Sequence, residues 1–175
     1  SQVVRETGLL LRAQRFYAVV GLVLAVGFAG AIAGFVLLGD SWYQLLIAAA
    51  LGVLFTQVAF LAHEAAHKQI LASGPANERL ALWLGAGVVG LSMSWWGAKH
   101  TRHHGNPNTV DKDPDIETDF IVFQHDKATG LTGLSRLLAR QQCYLFFPVL
   151  LPEGVNLHRH AFITVFSKGK VDKRA

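Results

Sequence analysis

Five of the eight histidines fall into two short groups whose spacing suits metal binding. The first group is His63 and His67, and the second is His100, His103 and His104. On a helix, residues three or four apart share a face, so the imidazoles of each group can converge on one point. Imidazole is a common ligand for iron, zinc and copper. Because each group stands at the end of an apolar segment, we predict that the two groups are halves of one metal site.

The first group is compatible with two kinds of metal chemistry. Its sequence His63-Glu64-Ala65-Ala66-His67 matches the H-E-x-x-H pattern of zinc metalloproteases, in which Glu64 would be the general base. A catalytic zinc takes three protein ligands, which would leave the second group without a role. Five imidazoles fit two metal ions better, and iron suits a nitrogen-rich site that activates dioxygen. Glu64 would then orient an imidazole from outside the ligand set.

Three long stretches without charged residues must position these histidines, at residues 16–39, 41–62 and 80–98. A helix crosses the hydrocarbon core with about 20 apolar residues, so the first two stretches predict a hairpin of two spanning helices. Only 16% of the residues are charged, against about 25% in soluble domains. A single cysteine excludes an internal disulfide framework. These features predict an all-α integral membrane protein.

Basic residues indicate the orientation of the hairpin. Arg5, Arg12 and Arg15 precede the first apolar stretch, whereas the link at residues 39–42 contains no lysine or arginine. Positive charge is enriched on the cytoplasmic side of membrane proteins. We therefore expect the second helix to return to the cytoplasmic side, with the histidine groups facing the cytoplasm.

The stretch at residues 80–98 separates the two histidine groups. A full crossing would place the groups on opposite faces of the membrane, so a shared metal site requires a re-entrant or interfacial segment. Irregular backbone at membrane depth is tolerated where protein surrounds it. Further along, leucines recur at helical spacing within residues 119–142, which predicts an amphipathic helix on the membrane surface.

Together the two groups resemble the first and second histidine boxes of the membrane fatty acid desaturases. The 32 residues between His67 and His100 agree with that family, and the sequence GNPNTVDKDPDI after the second group is similar to a bacterial branch of it. The resemblance covers roughly residues 10–160. It implies that His63, His67, His100, His103 and His104 are ligands of a di-iron centre.

Residues outside the two boxes could complete such a centre. Residues 146–158 resemble the family's entry into its later membrane region, where His158 would add a metal ligand, with Asn156 as a supporting residue. Asp111, Asp113 and Asp115 form an acidic cluster after the second box, which is either a solvated loop or a support that orients the histidines. Asp111 is the member that we select as the supporting residue.

The resemblance further implies an iron- and O2-dependent oxidoreductase that introduces a double bond into a fatty acyl chain. The substrate would be a membrane lipid or an acyl-CoA, and hydroxylation is a close variant of the same chemistry. No haem-binding module is visible in the sequence, so electrons would come from a separate donor, either a ferredoxin or a cytochrome b5-type protein with its reductase. Nothing in the sequence suggests nucleic acid as a partner.

The sequence departs from the family pattern in one respect, since it contains no third histidine box. Six predicted histidine ligands are few for two iron ions. We therefore expect residues 1–175 to form a single, truncated desaturase-like membrane domain. An HExxH zinc-dependent intramembrane protease and an inactive desaturase fragment remain the alternatives.

Overall fold

The computed structural model describes Val3 and residues 6–8, 10–117 and 121–167; Arg5 and residues 118–120 lie outside these ranges. Every regular element in the described part is helical, so the predicted all-α class is confirmed. The chain divides into two compact units between Gly90 and Leu91. Each unit is described by itself.

The first unit is built on two long apolar helices, α1 (Gln14–Leu38) and α2 (Gln44–Ala66). At 1.5 Å per residue their 25 and 23 residues extend about 37 and 35 Å, more than the roughly 30 Å of a hydrocarbon core. In each helix, only 11% of the most apolar 18-residue segment is buried within the protein. Apolar side chains exposed all round a helix are typical of a lipid-facing span, and the predicted pair of candidate spanning helices is confirmed.

A short turn joins α1 to α2 and is closed by a side chain. Gln44 donates Nε2–H bonds to the carbonyl oxygens of Phe35 and Gly39, both at 2.8 Å. These bonds satisfy carbonyl groups that the end of α1 leaves without helical partners. Gly39 has a φ of +54°, a conformation that glycine adopts without steric cost. The link therefore holds the two helices as a hairpin.

Glycines on α1 allow α2 to approach closely. A Cβ atom added at Gly27 would lie 2.8 Å from Leu54, and one at Gly34 would lie 2.8 Å from Ile47. Small residues at helix contacts are characteristic of membrane helix pairs. The buried core of the unit lies beside this contact and consists of Leu24, Val58, Ala62 and Leu84.

The third apolar stretch is interrupted. It begins in α3 (Gly74–Leu82), continues as a π-helical segment (Trp83–Val89), and stops at Gly90, whose φ is +80°. A new helix, α4 (Met93–Gly105), begins after Ser92, whose side chain accepts a bond from the Trp95 N–H. The stretch is therefore not one continuous helix. It is long and apolar enough to be a third membrane span only if the segments Gly74–Val89 and Met93–Gly105 are combined.

In its described part, the second unit contains α4 followed by four further helices, of which the first three are shorter than α4. These are α5 (His125–Gly130), α6 (Gly133–Arg140), α7 (Gln142–Leu150) and α8 (Glu153–Phe166). The prediction of one amphipathic helix across residues 119–142 is wrong. Leu131 and Thr132 have extended backbones, and Gly133 has a φ of +56°, so the helical pattern is broken between α5 and α6. On α6 the leucines Leu134, Leu137 and Leu138 remain exposed, as expected of an apolar surface face.

Candidate metal centre

The first histidine group lies at the carboxyl end of α2. His63 is in the last turn of this helix and His67 follows as its C-cap residue. Their Nε2 atoms are 3.2 Å apart, and their ring centroids are 4.6 Å apart in an edge-on arrangement. The helix therefore brings the two imidazoles together as their four-residue spacing predicts.

Glu64 of the same box is held by the neighbouring helix. Tyr17 on α1 donates its hydroxyl hydrogen to Glu64 Oε2 over 3.1 Å. This bond links α1 to the first histidine group from a position 47 residues earlier in the chain. No spacing rule connects Tyr17 with the box, so sequence reasoning missed it.

A fully buried amide organises the turn after His67. The Asn77 side chain is 0% exposed. Its Oδ1 accepts from the N–H groups of Ile70 and Leu71 at 3.2 and 2.9 Å, and its Nδ2 donates to the carbonyls of Leu71 and Ser73 at 2.7 and 2.8 Å. All four hydrogen-bonding positions that the amide offers here are used. Asn77 thereby fixes the chain between the first histidine group and α3.

The second histidine group occupies α4. The Nε2 atoms of His100 and His104 are 3.0 Å apart, and the rings meet edge-on with centroids at 4.4 Å. His100 also stacks on Trp96, with centroids 4.4 Å apart and planes inclined by 18°. The aromatic contact limits the rotation of the His100 ring.

The spacing within each pair can be compared with metal geometry. At about 2.1 Å from a metal, two adjacent octahedral nitrogens are about 3.0 Å apart, and two tetrahedral ones are about 3.4 Å apart. The His100–His104 pair matches the octahedral value, and the His63–His67 pair lies between the two values. In each pair the two nitrogens are therefore close enough to bind one metal ion together.

His103 has a different environment from its neighbours on α4. Its Nδ1 lies 3.0 Å from both carboxylate oxygens of Asp113 and 3.3 Å from Asp115 Oδ2. Burial alone would raise the pKa of the Asp113 carboxyl, but hydrogen bonds from the Asp115 N–H, His103 and the Asn108 N–H outweigh it and lower the pKa below its ordinary value. The carboxylate of Asp113 is thus stabilised in its charged form beside the His103 ring.

Asp111, which the sequence favoured as the supporting acid, lies elsewhere in the same turn. It is exposed, has a φ of +63°, and donates its backbone N–H to Glu117 Oε1 at 3.1 Å. The structure brings Asp113, two residues further on, to the histidine. The alternating acids Asp111, Asp113 and Asp115 are visible in the sequence. Their spacing alone does not show which of them contacts a histidine.

The two remaining predicted site residues lie on α8. His158 Nδ1 is 2.7 Å from the Gly154 carbonyl oxygen, and Asn156 Nδ2 donates to Glu153 Oε2 at 3.2 Å. Close groups of three or more potential metal ligands in the described part of the chain do not include His158. The assignment of His158 and Asn156 to a metal centre stays a prediction.

An apolar cavity of about 420 Å³ lies in the first unit beside the first histidine group. Its walls include Leu24 and Phe28 of α1, Val58 of α2 and Trp83 of the π-helical segment. Tyr17, whose hydroxyl bonds Glu64, also lines it. The cavity is suited to a hydrocarbon chain, because few polar groups face it.

Comparison with known proteins identifies a family and related sequences. The sequence profile of the fatty acid desaturase family matches residues 40–172. The Delta(8)-fatty-acid desaturase 2 of Arabidopsis thaliana is 30% identical over 89% of this chain and 36% of its own length. The Delta(8)-fatty-acid desaturase of Helianthus annuus is 28% identical over 78% of this chain and 32% of its own length. A Delta 8-(E)-sphingolipid desaturase of Emericella nidulans is 31% identical over 75% of this chain and 26% of its own length. The chain thus spans about a third of the relatives it matches, and no solved structure matches it.

Proposed function

Because the chain belongs to the fatty acid desaturase family, we propose that it takes part in the O2-dependent introduction of a double bond into a fatty acyl chain. The observation that carries the proposal is the family match across residues 40–172, which includes both histidine groups. The named relatives are desaturases of fatty acids or sphingolipids, which supports a lipid substrate, either a membrane lipid or an acyl-CoA. We also propose that residues 1–175 belong to one desaturase-like domain.

We propose iron as the metal, because imidazole nitrogens are suitable iron ligands and each pair of histidines is closely spaced. In the proposed centre His63, His67, His100, His103 and His104 hold the metal, with His158 as a further ligand. When bound, iron would supply the dioxygen chemistry needed to remove hydrogen from an unactivated carbon chain.

The overall reaction defines what must reach the site. A –CH2–CH2– unit becomes –CH=CH–, and the two hydrogens it loses, two protons and two electrons from a donor convert one O2 into two water molecules. The protein must therefore admit a hydrocarbon chain, O2 and a reducing partner. The apolar cavity beside Tyr17 supports the first requirement. The electron donor is proposed to be a separate ferredoxin or cytochrome b5-type protein.

The proposed orientation places the histidine groups at the cytoplasmic face, where such soluble donors are found. Support comes from the basic residues before α1 and from the basic-free link between α1 and α2. The re-entrant or interfacial course of the third apolar stretch is part of the same proposal, because it keeps both groups on one side. The interruption at Gly90 supports it.

A zinc protease is the competing function suggested by the H-E-x-x-H sequence. The family match and the second group of histidines favour the desaturase, since a protease needs neither. The two functions differ in metal, so bound metal separates them.

The test is expression of the chain in yeast, with lipid analysis by mass spectrometry and metal analysis of the purified protein. We expect bound iron and a new double bond in membrane lipids, both lost in His67→Gln. His125→Gln is the matched control, because His125 is an exposed residue outside both groups. A protein with zinc as its only metal, or with no iron and no new double bond, would contradict the proposal.

A further inference from the structure

Asp113 is an unusual acid, because its side chain is 0% exposed although it lies in a turn outside any helix. Acidic side chains are almost never fully buried unless they are paired. Oδ2 accepts from the Asn108 N–H at 2.7 Å, and Oδ1 accepts from the Asp115 N–H at 2.9 Å. Both oxygens also lie 3.0 Å from His103 Nδ1. The carboxylate is therefore fully engaged within the second unit.

The turn is shaped to deliver this carboxylate to the histidine ten residues earlier. Asn108 and Asp111 have φ values of +57° and +63°, a left-handed conformation that Asn and Asp tolerate better than other side chains. The Thr109 carbonyl accepts from the N–H groups of both Lys112 and Asp113. These local bonds fold the chain back beside α4.

The same cluster does not suit a separate cation. His103, Asp113 and Asp115 offer closely spaced ligand atoms, but the Asp113 oxygens already accept from backbone N–H groups. Asp115 in turn forms an ion pair of 2.9 Å with Lys99. A bound cation would have to displace these donors.

An ionised carboxylate only accepts hydrogen bonds, so the imidazole nitrogen facing it must carry the hydrogen. We propose that Asp113 is a positioning residue that holds His103 with hydrogen on Nδ1, so that the Nε2 lone pair is presented to the metal. Partners of this kind fix the tautomer and the orientation of ligating histidines. This inference rests on the proposed function only for the claim that His103 is a metal ligand. The hydrogen position is a property of the chain itself.

Asp113→Asn tests the inference with little change in shape. The amide keeps one oxygen and replaces the other with NH2, which cannot accept from the Asn108 or Asp115 N–H and can donate to His103 Nδ1. The preference for hydrogen on Nδ1 should therefore weaken. Asp126→Asn is the matched control, because it removes the same charge from an exposed residue on α5. The first readout is the tautomer of His103, measured by nitrogen NMR on the metal-free protein at about pH 8, which is above the ordinary histidine pKa. The second readout is the affinity for Co(II), measured by calorimetry.

We expect hydrogen on Nδ1 in the unmodified protein and in Asp126→Asn, and a larger share of the tautomer with hydrogen on Nε2 in Asp113→Asn. Co(II) affinity should fall about 10–100-fold in Asp113→Asn alone. Hydrogen on Nε2 in the unmodified protein would overturn the inference even if Asp113→Asn failed to fold. Equal Co(II) affinity in the unmodified protein and Asp113→Asn would overturn it as well. Absence of Co(II) binding to the unmodified protein would instead count against the proposed metal centre, and the tautomer would still decide the role of Asp113.

Discussion

Removal of the Asn77 amide is expected to destabilise the turn that follows the first histidine group. In Asn77→Ala, the N–H groups of Ile70 and Leu71 lose their acceptor. Ile70 is buried, so its unsatisfied N–H costs about 1–3 kcal/mol, and the half-buried Leu71 bond contributes about 0.5–1.5 kcal/mol. The Ser73 carbonyl is on an exposed residue and can bind water instead. The free energy of unfolding should therefore fall by about 1.5–4.5 kcal/mol.

The assay is unfolding in detergent micelles, followed by tryptophan fluorescence, together with hydrogen exchange at the Ile70 and Leu71 amides. A loss of about 1.5–4.5 kcal/mol corresponds to roughly 13- to 2,000-fold faster exchange at these amides. Asn106→Ala is the control, since Asn106 makes a single side-chain bond to the Arg102 carbonyl. It should cost less than about 1 kcal/mol. Equal losses in the two variants, or unchanged exchange in Asn77→Ala, would refute this account of the buried amide.

Two further changes test other contacts. Tyr17→Phe removes the hydroxyl that donates to Glu64. A hydrogen bond to a charged group contributes up to about 3 kcal/mol. The midpoint of thermal unfolding should therefore shift to a lower temperature. An unchanged midpoint would contradict the contact. Glu117 accepts bonds from Lys127, the Asp111 N–H and Gln124, and these bonds lower its pKa. The ionised Glu117 therefore stabilises the folded chain above the pKa that the group has in the unfolded state. This stabilisation is lost as the pH falls through the pKa of the folded state. The protection of α5 amides, corrected for the intrinsic pH dependence of hydrogen exchange, should fall on acidification. Glu117→Gln should abolish that fall, and persistence of the fall would contradict the assignment.

Much of this fold could be predicted from the sequence because the membrane imposes simple constraints. Residues without charge extend far enough to cross a bilayer, and α1 and α2 follow these stretches closely. The four-residue spacing of His63 and His67 likewise translates directly into adjacent imidazoles on a helix.

Other features depend on contacts that spacing does not encode. The break at Leu131 and Thr132 overrides a helical leucine pattern through backbone conformation alone. Tyr17 reaches Glu64 only because α1 packs on α2. Asp113 reaches His103 only through the left-handed residues of the intervening turn, so neighbouring acids in the sequence are not equivalent.

The central claim is that both histidine groups hold the same metal ions. The most direct measurement is anaerobic Fe(II) titration of the unmodified protein, His67→Gln, His104→Gln and the double variant, with His125→Gln as control. In a shared centre the two losses of binding free energy are strongly coupled, so the double variant should lose much less than the sum of the single variants. Strictly additive losses, as expected of two independent sites, would contradict the claim.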